Sequence, residues 1–149
     1  LQIAVDQIRP YLASNGGPIL FLQVENEYTY HPNQQLGMEY VSWAVATAEN
    51  TTKDDPIPWI MCEHNPTMNT STAVQTINGF WDEHNVDGTG WPSPKWINEH
   101  VATYPKQPLW WTEDQAWFQG WEGGTLVRPV DQISNGILRW YALGGTYHN

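Results

Sequence analysis

The sequence predicts an α/β fold in which parallel strands alternate with helical crossovers, and three observations carry that reading. Short apolar runs bounded by breakers recur at Ile19 to Val24, Trp59 to Cys62 and Leu109 to Thr112. Between them lie stretches with apolar residues at helical spacing, Leu36 to Ala48 and Pro129 to Leu143. Carboxylates close two of the runs, as Glu25-Asn26-Glu27 and as Glu113. Charges at the end of a buried strand are costly unless they are used.

Each element has its own local cause. Ile3 to Leu12 reads as the end of a helix, stopped by the loop Ser14-Asn15-Gly16-Gly17. The run Ile19 to Leu22, entered through Gly16-Gly17-Pro18, has the unbroken apolar character of a strand buried on both faces, and it extends to Val24. Leu36, Tyr40, Val41, Ala44, Val45 and Ala48 form one face of an amphipathic helix, closed by Asn50-Thr51-Thr52. The breakers Asp55-Pro56-Ile57-Pro58 precede the second strand, Trp59 to Cys62, and Thr76 to Phe80 reads as a third. Asn85 to Pro94 is a Gly/Pro-rich loop. Pro94 suits the start of a helix Lys95 to Thr103, because a first turn has no use for the N–H that proline lacks. After the strand Leu109 to Thr112, the helix Pro129 to Leu143 places Ile133, Ile137, Leu138 and Tyr141 on its buried side, with Gly136 allowing close packing. A last strand starts near Thr146.

Composition narrows the function. Sixteen acidic against six basic residues give a formal charge of −10 in 149 residues, which repels phosphate backbones and anionic membranes. A neutral substrate fits better, with no nucleic acid and no membrane as partner. No apolar segment approaches the roughly 20 residues that span a bilayer, and Leu1 opens neither a start codon's product nor a signal peptide, so the N-terminus reads as cut. The single cysteine, Cys62, leaves no internal disulfide and no cysteine zinc cluster. Two sequons, Asn50-Thr51-Thr52 and Asn69-Thr70-Ser71, permit glycosylation in a secretory pathway, and the expected setting is secreted, cell-wall, or vacuolar or lysosomal. Ten Trp and seven Tyr against three Phe supply flat apolar faces with polar edges, suited to stacking on sugar rings as well as to core packing.

The placement of the acids decides between two α/β architectures. A doubly wound sheet would feed a Gly-rich phosphate loop, and neither G-x-G-x-x-G nor G-x-x-x-x-G-K-[ST] occurs. In a (β/α)8 barrel the chemistry sits at the C-terminal ends of several strands, where Glu25-Asn26-Glu27 and Glu113 both fall. A barrel needs about 250 residues, so residues 1–149 are expected to be the C-terminal part of such a catalytic domain, about strands 4 to 8, truncated at both ends. The remainder of that domain is then an obligatory partner, and the segment alone is expected neither to fold stably nor to turn over substrate.

Two strand-end carboxylates are the equipment of glycosidic bond cleavage. One donates a proton to the departing oxygen and the other acts as nucleophile or water-activating base, without metal or cofactor. A separation of about 5 to 5.5 Å gives retention through a covalent intermediate, and roughly 6.5 to 9.5 Å gives inversion. Asn26, beside the acid, is placed to bond the sugar hydroxyl next to the reacting carbon. Solvated loop acids or helix caps are the plainer alternative.

The stretch "NGGPILFLQVENEY" resembles the signature of family 35 glycoside hydrolases, the β-galactosidases, matching it at Gly16, Gly17, Pro18, Gln23, Glu25, Asn26, Glu27 and Tyr28. "IPWIMC" from Ile57, "NGF" from Asn78, "PLWWTEDQAWFQGWEGG" from Pro108 and "GGTYHN" from Gly144 resemble, in order, the plant-type branch of that family. The resemblance covers nearly the whole chain. It implies a retaining β-galactosidase with Glu27 as acid/base, Glu113 as nucleophile after Thr112, Asn26 as partner of the 2-hydroxyl and Glu25 as a supporting carboxylate. Its substrate would be a β-galactoside oligo- or polysaccharide. Glu27 is expected to hold its proton longer than Glu113, giving a bell-shaped pH profile.

Some positions depart from that family. Ile77 and Asp82 stand where the plant pattern carries cysteines, Asp114-Gln115 replaces the usual residues after the nucleophile, and Asn85 to Pro94 is an insertion. Trp111, Trp117 and Trp121 surround the nucleophile, and one of them is expected to wall the sugar site. His64, His84 and His100 each adjoin a glutamate, but none has metal-ligand spacing, so no metal is expected; His64 is a candidate to face the pocket. Two rivals stay open: a non-catalytic carbohydrate-binding relative, and a barrel glycosidase for another β-linked sugar.

Overall fold

A left-handed glycine sets the first boundary of the chain. In the computed structural model, which describes residues 1–28, 32–63, 72–79, 94–114, 117–119, 125–127 and 130–149, helix α1 (Gln2–Ile8) runs into 3-10 turns at Arg9–Tyr11 and Ala13–Asn15. Gly16 then takes φ +81°, a region that side chains with a Cβ enter at a cost. A Cβ on Gly17 would overlap the Tyr11 backbone. The chain turns back, and Ile19 binds Tyr11 and Ala13 through its N–H and C=O.

The described residues form two compact units, 1–63 with 72–75 and 76–149. In the first, strand β1 (Leu22–Asn26) leads into helix α2 (Gln34–Thr51) and then strand β2 (Trp59–Glu63), which pairs with β1 in parallel. The expected strand Ile19 to Val24 therefore shifts. Ile19 has spent its backbone groups on the preceding turn, Leu20 is 67% exposed, and pairing starts at Leu22 and runs on to Asn26. Asn33 caps α2 by accepting the Leu36 N–H on its side-chain oxygen at 3.2 Å. Val41, Val45 and Ala48 of α2 pack with Val5, Trp59, Met61 and Ala73. Leu36 and Tyr40, expected on that face, lie outside it: Leu36 is exposed and Tyr40 reaches the tip of β1. The far end of α2 is held by Trp59, whose indole N–H donates to the buried Thr52 hydroxyl at 3.0 Å. Arg9 ties α1 to the same end through Asp55 and the Thr51 carbonyl.

Strand β3 (Val74–Gly79) continues into the second unit, where it pairs in parallel with strand β4 (Trp110–Asp114) after helix α3 (Pro94–Thr103). Strands β5 (Trp117–Gln119) and β6 (Thr125–Val127) form an antiparallel ribbon that the sequence reading did not contain, since three-residue strands leave no periodicity to read. Helix α4 (Val130–Ala142) then returns the chain to strand β7 (Tyr147–His148), parallel to β4. Ile77, Ile97, Leu109, Trp111 and Trp140 make the core. The expected face of α4 needs correction. Leu138 and Tyr141 are exposed, whereas Trp140 is fully buried, with its indole N–H donating to the Tyr147 carbonyl at 2.9 Å. The indole is the larger apolar surface and finds a partner for its one polar atom, so it takes the inner position. Gly145 leaves it room, since a Cβ there would overlap the ring.

His100 is buried at the end of α3. Its Nε2 lies 3.3 Å from the Pro108 carbonyl, and its Nδ1 has no partner among the described residues. Burial pushes its pKa below the ordinary value near 6.5, partly opposed by the Pro108 carbonyl. The folded state thus takes up a proton less readily than the unfolded chain, and stability falls as pH drops below about 6.5. In the native protein that carries this segment, the loss of thermal midpoint between about pH 7.5 and 5.5 is expected to shrink in His100→Leu; an unchanged loss would place the acid-sensitive group elsewhere.

Among the described residues there is no cluster of three or more His, Cys, Asp or Glu side chains that could hold a metal ion. No helix among them is long and apolar enough to cross a membrane.

Candidate active site

In each unit an acid follows an irregularity in a parallel strand. On β1 the register slips between Gln23, opposite Ile60, and Glu25, opposite Met61, leaving Val24 as the extra residue. Burial slips with it: Leu22 and Val24 are inward, Gln23 outward, but Glu25 is inward again and Asn26 outward. On a regular strand Gln23 and Glu25 would share a face and Asn26 would point the other way. The bulge reverses this, a common use of bulges beside functional sites.

The consequence is a hydrogen-bonded tip. Gln23 Nε2 donates to Asn26 Oδ1 at 3.0 Å and to the Glu25 carbonyl at 3.1 Å. Glu25 accepts the Asn26 N–H on Oε1 at 3.0 Å and the Tyr40 hydroxyl on Oε2 at 2.6 Å. The bond to Glu25, with burial added, raises the Tyr40 pKa above its ordinary value near 10, so the phenol stays a donor through the neutral range. Tyr40 also stacks obliquely on Tyr28, ring centroids 4.4 Å apart.

Glu27 is the first residue past the strand, and its φ of +55° is the one positive value at a non-glycine position among the described residues. Its N–H donates to the Cys62 carbonyl at 2.8 Å, extending the ladder with β2 by one bond. A residue with a side chain pays about 1 to 2 kcal/mol for this backbone, and such outliers concentrate at functional sites.

The second unit repeats the pattern. On β4, Trp111 lies opposite Ile77 and Glu113 opposite Asn78, so Thr112 is the extra residue before the acid. The Thr112 hydroxyl is 2.5 Å from that of Thr76. Trp111 donates its indole N–H to the Glu113 carbonyl at 2.8 Å and packs against Trp140 and His148. Glu113 is half-buried.

Trp111 is a core side chain with no exposed surface. That burial removes it from the expected wall of a sugar site, and its effect on Glu113 runs through the backbone. The Trp117 backbone lies in β5, while Trp121, His64, His84, Asp82 and most of the insertion from Asn85 lie outside the described residues. Ile77 is buried in the core. The sequence reading missed Tyr40 as partner of Glu25. Its phenol at an otherwise aliphatic helix face was the available signal, since a tyrosine there brings a hydroxyl able to donate to a nearby acceptor.

Acids that follow bulges at the ends of parallel strands, in two separate βα segments, stand where an α/β enzyme places its chemistry. The comparisons with known proteins make the class specific. The sequence pattern described as Glycosyl hydrolases family 35 matches residues 1–149, and the chain belongs to that family. It is 34% identical over its full length to "Probable beta-galactosidase 2" of Dictyostelium discoideum, covering 18% of that protein. It is 29% identical to "Beta-galactosidase 10" of Arabidopsis thaliana over 92% of the chain, covering 16% of that protein. With "Beta-galactosidase 6" of Oryza sativa subsp. japonica it shares 30% identity over 92% of the chain and 14% of that protein. The chain thus spans less than a fifth of the length of these relatives.

Proposed function

We propose that this chain supplies both catalytic carboxylates of a retaining β-galactosidase, as part of a (β/α)8 catalytic domain of which it forms about strands 4 to 8. Glu27 protonates the departing oxygen while Glu113 attacks the anomeric carbon, giving a galactosyl ester on Glu113. Glu27 then takes a proton from water, which attacks the same carbon and releases galactose with its β-configuration retained. Asn26 holds the 2-hydroxyl and Glu25 supports the tip of the strand. A retaining path needs Glu27 and Glu113 about 5 to 5.5 Å apart.

The observation that carries this reading is the strained backbone of Glu27 at the end of a bulged strand, inside a sequence that matches its family over residues 1–149. The names of the relatives support galactose as the sugar. The two sequons agree with a secreted, cell-wall, or vacuolar or lysosomal enzyme. The test is proton NMR of the first product released by the whole enzyme from an aryl β-galactoside. β-Galactose appearing before mutarotation supports the reading, and α-galactose overturns the retaining path. No cleavage of galactosides beside cleavage of another β-glycoside would move the sugar, not the mechanism.

A further inference from the structure

The hydrogen bonds at the tip of β1 give Asn26 a fixed polarity. Its side-chain oxygen is occupied by Gln23 Nε2 at 3.0 Å, and its Nδ2 has no partner among the described residues. With its oxygen turned to Gln23, the amide leaves both Nδ2 protons free to donate on the other side. Its backbone is fixed independently, because the Asn26 N–H is bound to Glu25 Oε1 and the other oxygen of Glu25 is bound to Tyr40 on α2. Tyr40 is in turn braced by Tyr28 and, at 6.1 Å between ring centroids, by Trp43. The carboxylate of Glu25 is thus a bridge from a packed helix to the backbone of the residue beside the acid.

We propose that Tyr40 is a positioning residue for the sugar 2-hydroxyl: by clamping Glu25 against α2 it holds Asn26 so that Nδ2 donates to the oxygen of that hydroxyl. The inference rests on the reading of Asn26 given under Proposed function, and adds to it the direction of the hydrogen bond and the residues that enforce it. Tyr40 touches neither substrate nor reacting atoms. Removing its hydroxyl leaves one oxygen of Glu25 untethered and lets Asn26 drift, and a misplacement of about 1 Å costs on the order of 100-fold in rate.

The readout is the value of the 2-hydroxyl itself. In the whole enzyme, kcat/KM is measured for an aryl β-galactoside and its 2-deoxy analogue, with Tyr40 intact and in Tyr40→Phe, which keeps the ring against Tyr28. The expected result is a loss of about 10- to 100-fold on the galactoside and a loss of less than about 3-fold on the 2-deoxy substrate, so that the ratio between the two contracts. A merely structural role would lower both substrates equally, and that outcome, or no loss on either, overturns the proposal. If Tyr40→Phe does not fold, Gln23→Met, which removes the donor that occupies Asn26 Oδ1, is expected to contract the same ratio; an unchanged ratio overturns the proposal by that route. An enzyme with Tyr40 and Gln23 intact that already ignores the 2-hydroxyl shows instead that the reading of Asn26 is wrong, and the clamp falls with it.

Discussion

Replacing Glu113 by alanine in the whole enzyme is expected to lower kcat on an aryl β-galactoside by about 10,000-fold or more, because the reaction loses the group that forms the intermediate. Its secondary structure and thermal midpoint should change little: Glu113 is only half-buried, and the strand is held by the Trp111 indole bond to its carbonyl and by the Asn149 N–H bond to the Trp111 carbonyl, neither of which needs the Glu113 side chain. Azide then provides a sharper check. In the space left by the carboxylate it attacks the anomeric carbon from the nucleophile's side, so the rescued product should be the α-galactosyl azide. A β-azide would assign Glu113 the acid/base role.

Glu27→Ala is expected to cost about 100- to 10,000-fold, the usual range for general acid and base catalysis. The loss should be smaller for substrates whose departing phenol needs no proton, and largest for an alkyl galactoside. Azide should again rescue, now by attacking the galactosyl ester from the water side and giving the β-azide. The backbone allows a second check on the same residue. Glu27 sits at φ +55°, which glycine tolerates without strain, so Glu27→Gly is expected to melt no lower than Glu27→Ala while being equally impaired. A Glu27→Ala protein retaining more than about one tenth of wild-type activity on an alkyl galactoside would remove Glu27 from the proton-transfer role.

Much of this arrangement was legible in the chain itself. The Gly-Gly-Pro entry, the apolar run and the Glu-Asn-Glu tip put Glu27 at a strand end, and Pro94 marks the start of α3, whose first turn has no use for the N–H that proline lacks. The order β, α, β was readable because each crossover helix has its own buried stripe. Three features were not. Bulges leave no mark in composition, so the slips at Val24 and Thr112, which decide which side chain faces which way, became visible only in the pairing. Tryptophan is ambiguous between core and sugar, and Trp111 and Trp140 took the core because each indole N–H finds a carbonyl there. Tyr40 counted as one more apolar position on a helix, while its hydroxyl had an acceptor fifteen residues earlier in the chain.

The central claim is that Glu113 carries the sugar during turnover. The whole enzyme is incubated with an activated 2-deoxy-2-fluoro-β-galactoside, whose fluorine slows both steps and whose leaving group restores only the first, so that the galactosyl-enzyme accumulates. Intact mass and peptide mapping then locate the adduct. The account predicts one 2-deoxy-2-fluorogalactosyl group on the peptide that contains Glu113, lost again on long incubation as the enzyme regains activity. An adduct on another carboxylate, or none at all from an enzyme that cleaves ordinary galactosides, would contradict it.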